Sequence, residues 1–363
     1  MNFLQNKNIL IISPEAWGTS FLSKHHYAIE LSKTNKVWFL NPPLNNHKNN
    51  ESVPKNIIIL KDKRIRGLRH MPRRVQRFLI TKQIEMLESR AGVKFQVVWS
   101  FDNSRYFHHD LFYDALVIHH VVDEHMDYNF QVAAASADLC LGVTHGIVER
   151  LRKFNQRSFF VQHAFSPFEM KNVNLPSKDG RIKLAYVGNL MLAALDIDFI
   201  DKLARKFSQC DFYLIGSYGH GNLNETINAE RKKQIELIQK NANIFLLGER
   251  VHDEAFSFSA NADIQIIVYF NTKKPMSNSS KLPFYFYNGN VIVSNKFTEY
   301  SDTELMRSAN NHDEFEMLLS DTIARLPFWN DSSKKEMRRN HALQNSYSSR
   351  LMEIEKHIVS ELV

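Results

Sequence analysis

The chain has 363 residues, with 46 lysines and arginines against 39 aspartates and glutamates, a formal charge of +7. At 44% hydrophobic and 23% charged residues its composition is globular, which excludes a disordered, collagenous or coiled-coil chain. Two cysteines, Cys140 and Cys210, are too few for a disulfide framework or a four-thiolate zinc site, and no window approaches 18 consecutive apolar residues, as a bilayer span requires. The expectation is a soluble protein of a reducing compartment, long enough for two domains, with a basic surface somewhere.

The apolar run at 8–12 is too brief for the core of a secretory signal and reads as a strand buried on both faces of a parallel sheet. A helical stripe over 22–31 follows, then strands at 36–40, stopped by Asn41-Pro42-Pro43, and at 57–60. The pattern continues with a helix over 75–87, strands at 96–100, 115–119 and 138–143, a helix over 144–154 and a strand at 157–161. Repeated strand–helix–strand order predicts a parallel α/β sheet with helices on both faces. The segment 166–180 is polar, holds two prolines and ends in Ser177-Lys178-Asp179-Gly180, the composition of a linker. The same order then restarts, with strands at 182–187, 211–216, 243–248, 264–268 and 291–294 and a helix over 196–207. Two tandem α/β sheets follow from this, each binding ligands at its strands' carboxyl ends, and two such sheets facing one another form a cleft.

The most informative stretch is Asn278-Ser279-Ser280-Lys281-Leu282-Pro283-Phe284-Tyr285-Phe286-Tyr287-Asn288-Gly289, which runs into the strand at 291–294. Hydroxyls and free backbone N–H groups at a helix start favour an anion, and Lys281 adds a full charge. A capped helix with a solvated lysine fits the same residues.

This stretch resembles the signature of GT-B-fold glycosyltransferases, a loop with lysine, a helix with tyrosine, then glycine and a Val-rich strand. It is similar to that of bacterial polysaccharide enzymes of the teichuronic-acid and xanthan glucuronosyltransferase type. Tyr186-Val187-Gly188-Asn189-Leu190 resembles the family's opening strand of the second domain, and Asn243 to Gly248 its strand before the nucleotide-base loop. Asp138 to Phe154 with Val161-Gln162-His163-Ala164 resembles the end of its first domain, and Asn345 to Leu351 its terminal helix. The resemblance implies a GT-B architecture of two Rossmann-like domains: 1–165 on the acceptor side, 166–330 binding the nucleotide-sugar, and 331–363 as a C-terminal helix packing back on the first domain. It also implies a donor site of Lys281, Ser280, Ser279, Gly188, Asn189, Glu249, Arg250 and Tyr218. Phe284 stands where many members carry a ribose-binding glutamate, Val291 replaces a proline, and the stretch 270–277 holds none of the acids of the retaining families.

The stretch His119-His120-Val121-Val122-Asp123-Glu124-His125-Met126-Asp127 lies just beyond a strand of the first sheet. An inverting sugar transfer needs one base to take the acceptor's hydroxyl proton, and by resemblance Asp123 holds that place. The same residues are zinc ligand types, without a second cluster elsewhere, and Asp123 could instead cap a helix. Glu15, Trp17 and Gly18 follow the first strand and, with His119, are acceptor-side candidates; Trp17 could stack on a sugar or simply pack. Arg64, Arg66, Arg69, Arg73, Arg74 and Arg77, with Lys61 and Lys63, are opposed only by Asp62 between residues 61 and 77. That run suits an anionic membrane surface or a pyrophosphate-linked acceptor; no nucleic-acid module accompanies it.

The sequence therefore predicts a metal-independent, inverting glycosyltransferase without a cofactor. It would move a sugar from a nucleotide-sugar, a UDP-sugar by resemblance, to a lipid-linked or polysaccharide-precursor acceptor. Its expected place is the cytoplasm, peripheral to the inner face of a bacterial membrane, with oligomeric state open. A nucleotide-sugar 2-epimerase and a non-catalytic GT-B binding subunit are the alternatives.

Overall fold

The structure, a computed structural model, describes residues 3–18, 22–43, 53–63, 65–123, 129–176, 180–218, 225–271, 276, 278–300 and 304–362. The chain divides into two compact units, Met1–Ala164 with Tyr347–Val363, and Phe165–Ser346.

In the first unit the strands are β1 (Asn8–Ile12), β2 (Lys36–Asn41), β3 (Ile57–Lys61), β4 (Val97–Ser100), β5 (Leu116–Val121), β6 (Leu139–Gly142) and β7 (Ser158–Phe160). The helices between them are α1 (Ser23–Ser32), α2 (Arg73–Ala91), α3 (Phe130–Ser136) and α4 (His145–Arg152). Among the described residues these strands form one parallel sheet in the order β3-β2-β1-β4-β5-β6-β7. Side chains alternate across it. Ile9, Ile11, Phe39 and Trp99 pack under Tyr27, Ala28 and Leu31 of α1, whereas Leu10, Ile12, Trp38 and Leu40 pack against Ile80, Ile84 and Leu87 of α2. Helix α2 outruns the expected 75–87: Pro72 fixes its entry, and Gly92 at φ +69° ends it in a left-handed cap.

In the second unit β8 (Ile182–Val187), α5 (Ile197–Lys206), β9 (Cys210–Ile215), α6 (Glu225–Ile238), β10 (Ile244–Gly248), α7 (His252–Ala260), β11 (Ile264–Ile267), α8 (Leu282–Asn288), β12 (Val291–Asn295) and β13 (Arg307–Ala309) follow in turn. Then come α9 (His312–Ala324), α10 (Leu326–Trp329) and α11 (Ser332–Gln344). Among the described residues the strands form a parallel sheet ordered β10-β9-β8-β11-β12-β13. Both sheets change winding direction once, between β1 and β4 and between β8 and β11, and such switch points open a crevice at the carboxyl ends.

The return to the first unit comes at Tyr347, not at residue 331 as the sequence suggested. The reason is Arg338. Its guanidinium is buried, donating to the carbonyls of Leu305 (3.0 Å), Gly289 (2.9 Å) and Trp329 (3.1 Å), which fastens α11 to the second unit. Helix α12 (Tyr347–Leu362) then adds Tyr347, Ile354 and Ile358 to the first unit's core. Among the described residues no helix is long and apolar enough to cross a membrane.

Candidate functional site

The strand ends of the second sheet's switch region are closed by glycines that backbone geometry requires. Gly188 follows β8 at φ +152° and Gly216 follows β9 at φ +149°, values L-residues rarely adopt. Gly188 donates to Ile215 O (2.8 Å) and Gly216 to Gly248 O (2.9 Å), so three neighbouring strand ends are laced together. A Cβ on Gly216 would run into the carbonyl of Gly188.

Lys281 rises over this floor. A Cβ on Gly188 would meet Lys281 Cε and would lie 2.7 Å from the Tyr186 hydroxyl and 3.1 Å from Lys281 Nζ. The ammonium sits 5.4 Å from the ring of Tyr269 and 5.9 Å from that of Tyr186, within cation–π range, and these tyrosines share a hydrogen bond of 3.1 Å. The Val187 N–H donates to Tyr285 Oη at 2.8 Å, tying α8, which follows Lys281, to β8. Among the described residues no carboxylate pairs with Lys281, which is half-buried. A half-desolvated ammonium held by two aromatic faces, with no acid opposite it, is arranged to receive an anion.

The other donor-side candidates spread around it. Ser279 is buried and its Oγ accepts the Lys281 N–H at 3.4 Å, while Ser280 is exposed. The Asn189 carboxamide accepts the Met191 N–H at 2.9 Å and so shapes the turn after Gly188. Tyr218 is half-buried beside Gly248. Glu249 is exposed; Arg250, also exposed, turns along α7, 3.7 Å from Glu254. Phe284 is buried against Phe256 and His252, both rings 4.6 Å away, so apolar packing occupies this position. Tyr186 and Tyr285 lie within stretches that carry the family resemblance but, like Tyr269, are not among the site residues expected from sequence, because aromatic residues in apolar runs read as core.

In the first unit Asp123 is exposed two residues beyond β5, and Glu124, His125, Met126 and Asp127 lie outside the described residues. The Asp123 charge opposes the burial that lowers the His163 imidazole to about 4, which places the two groups within electrostatic reach. His119 is not at the acceptor side. It is fully buried, packed on His109 and Phe130, because alternation along β5 turns it to the opposite face from His120. His120 instead accepts the Trp99 indole N–H at 3.3 Å, and burial holds its pKa down near 3. Trp17 is likewise a core residue: it is fully buried, edge-on to Phe39 and His25, and cannot stack on a sugar. Glu15 keeps partial exposure and forms an ion pair with the buried ammonium of Lys24. Gly18 adopts φ +85°, a left-handed turn. Among the described residues no three metal-ligating side chains gather.

Of the basic run, Arg64 lies outside the described residues; Arg66, Arg69, Arg73 and Arg74 are exposed, and Arg77 pairs with Asp110 at 2.7 Å. Asp62, the run's lone acid, is turned inward to Arg105 (2.8 Å) and the Tyr106 hydroxyl (2.9 Å). Leu68 is core, whereas Phe78 is 61% exposed, with Val75 and Met86 also open on α2. Beside them an apolar cavity of about 250 Å³, lined by Ile65, Leu79, Met86 and Leu87, has Lys63 and Arg90 at its margin.

No family model matches the chain, and none of the curated proteins matches it in sequence. Solved structures do match in shape. A glycosyltransferase from Rickettsia africae ESF-5 superposes with a TM-score of 0.72 at 11% identity, covering 97% of this chain and 98% of its own. Sucrose-phosphate synthase from Thermosynechococcus elongatus gives 0.69 at 11% identity, over 97% and 98%. HepE of Anabaena in complex with UDP gives 0.67 at 11% identity, over 98% and 100%. At such identity the likeness establishes the fold: α/β, with the two Rossmann-like parallel-sheet units of the GT-B glycosyltransferases.

Proposed function

We propose that the protein is a glycosyltransferase that takes its sugar from a nucleoside diphosphate donor, a UDP-sugar, bound in the second unit. The observation that carries this reading is the Lys281 ammonium, set at the sheet's switch region over Gly188 with no acid among the described residues to neutralise it. HepE, which shares the fold, is solved with UDP and with UDP-glucose. In the reaction the acceptor hydroxyl attacks the anomeric carbon and gives its proton to Asp123. The glycosidic electron pair leaves with the diphosphate, whose growing charge Lys281 offsets in place of a metal. Attack from the face opposite the leaving group inverts the anomeric centre. The acceptor is a lipid-linked saccharide met at an anionic membrane surface: exposed Arg66, Arg69, Arg73 and Arg74 attract the phosphates, and the cavity beside α2 suits a hydrocarbon tail.

Calorimetric titration with UDP, coupled to turnover of UDP-glucose, tests this. Lys281→Ala is expected to weaken UDP about tenfold, the worth of one charge-assisted hydrogen bond. Asp123→Asn should keep wild-type UDP affinity and lose at least a hundredfold in kcat. A wild-type protein that binds no nucleoside diphosphate would remove the reading altogether.

A further inference from the structure

Arg231 lies in the middle of α6, within the charged run Glu230-Arg231-Lys232-Lys233, yet it is only 6% exposed. Its Nη2 reaches the carbonyls of Leu192 and Ala193 in the β8–α5 turn at 3.3 and 3.4 Å, long contacts for a charged donor. Its Nη1 is buried and, among the described residues, has no hydrogen-bond partner. Burial holds its pKa below the usual arginine value, outweighing the electrostatic pull of Asp198, Asp196, the Tyr186 hydroxyl and Glu230. The β8–α5 turn itself, 188–195, contains no cation.

A guanidinium stripped of water, with an idle N–H and no carboxylate in contact among the described residues, is among the costly arrangements a fold can hold. Among the described residues its hydrogen bonds are the two long ones from Nη2, which leave a cation with five N–H groups mostly unused. Its position supplies the missing term. Tyr186, within electrostatic reach of Arg231, carries the hydroxyl that lies beside Gly188 and forms one wall of the Lys281 ammonium's seat. Arg231 touches, at Leu192 and Ala193, the same β8–α5 turn that opens at the Gly188 beneath Lys281.

We infer that Arg231 is a second cationic contact for the donor, its free Nη1 donating to a diphosphate oxygen that Lys281 does not take. The inference rests on the nucleoside diphosphate reading of the same site and adds to it a residue that sequence patterning hides. It explains the apparent waste of a buried unpaired charge, since the anion arrives with the ligand. It also implies that the empty protein carries a local instability that UDP removes.

The experiment compares UDP with UMP, which lacks the second phosphate, by calorimetry on wild-type, Arg231→Met and Lys281→Ala proteins. Methionine keeps the length and apolar stem of arginine without its charge. Wild type should prefer UDP over UMP. Arg231→Met is expected to reduce that preference at least tenfold while changing UMP affinity less than threefold. Thermal unfolding without ligand supplies a second readout: the Arg231→Met midpoint should rise, where a merely structural arginine would make it fall. An unchanged UDP-to-UMP ratio in Arg231→Met beside a reduced ratio in Lys281→Ala overturns the inference and leaves the donor site standing. Unchanged ratios in both variants remove the donor site itself.

Discussion

Among the described residues two arginines are buried in the second unit, and their surroundings give them opposite energetic signs. Arg338 has carbonyl partners for Nε, Nη1 and Nη2, from Leu305, Gly289 and Trp329, and burial lowers its pKa to about 10. Removing it would orphan three buried acceptors, at about 1 kcal/mol or more each. Arg338→Met is therefore expected to lower stability by about 3 kcal/mol in urea unfolding; a loss under 1 kcal/mol would show that water replaces the guanidinium. Arg231 satisfies nothing comparable, which is why the same substitution there should stabilise the empty protein. The sequence does not tell these two apart, since both stand among charges on polar helices, Lys335 to Arg339 in one case and Glu230 to Lys233 in the other. The direction in which Trp17 and His119 point was hidden for the converse reason: where everything around a residue is buried, no polar alternation marks the side facing the site. Lys281 was readable because it is a lone cation between a polar loop and an aromatic run.

Among the elements, α2 is the one whose two faces disagree. Gln76, Ile80, Ile84 and Leu87 make an inward stripe at helical spacing, as a surface helix should. Outward, Phe78 lies three residues after Val75 and Met86 eight after Phe78, with Lys82 between the last two, and Arg73 and Arg74 stand at the helix start. A face that mixes exposed apolar side chains with cations fits the boundary between water and anionic headgroups, where each basic residue contributes roughly 1 kcal/mol. In co-sedimentation with vesicles rich in phosphatidylglycerol, the protein should bind, and high salt should release it. Replacing Arg73 and Arg74 with glutamate should cut partitioning more than tenfold, while Phe78→Ser should weaken it without altering the salt dependence. Equal binding to purely zwitterionic vesicles would assign the stripe to something other than anionic lipid. Elements of this kind were legible in outline: apolar strands announce themselves as unbroken runs, and α2 by its period. Helices α7, α9 and α11 are hard to read from sequence because polar residues stand among the buried ones: Ser257 and Ser259 in α7, Glu316 and Thr322 in α9, and Arg338 in α11.

At the scale of the whole molecule, the doubled α/β order was readable because each buried parallel strand is a short apolar run bounded by turn residues, and the pattern restarts after a polar linker. What could not be read was the place where the chain leaves the second unit, since one arginine among many decides it. The first unit carries a further property that sequence alone does not show: it stores several buried histidines neutral. Burial lowers His25 and His109 to about 4, His120 to about 3 and His119 well below its ordinary value. In the unfolded chain the same groups titrate near 6.5, so between about pH 6.5 and 4 the unfolded state binds protons that the folded state refuses. Stability is thus full above pH 6.5 and falls as the pH drops, each such histidine adding a slope of up to about 1.4 kcal/mol per pH unit. Three of the four tryptophans, Trp17, Trp38 and Trp99, are buried in this unit, so indole emission reports on it. The thermal midpoint followed by that emission is expected to fall steadily from pH 7 to pH 5, before most carboxylates titrate. Among the described residues His119 has no hydrogen-bond partner on either ring nitrogen, and it packs against Phe130, so His119→Phe removes one proton-binding group without orphaning another. That variant should show a shallower fall over the same range, and a midpoint independent of pH in the parent protein would mean that these imidazoles are hydrated in solution.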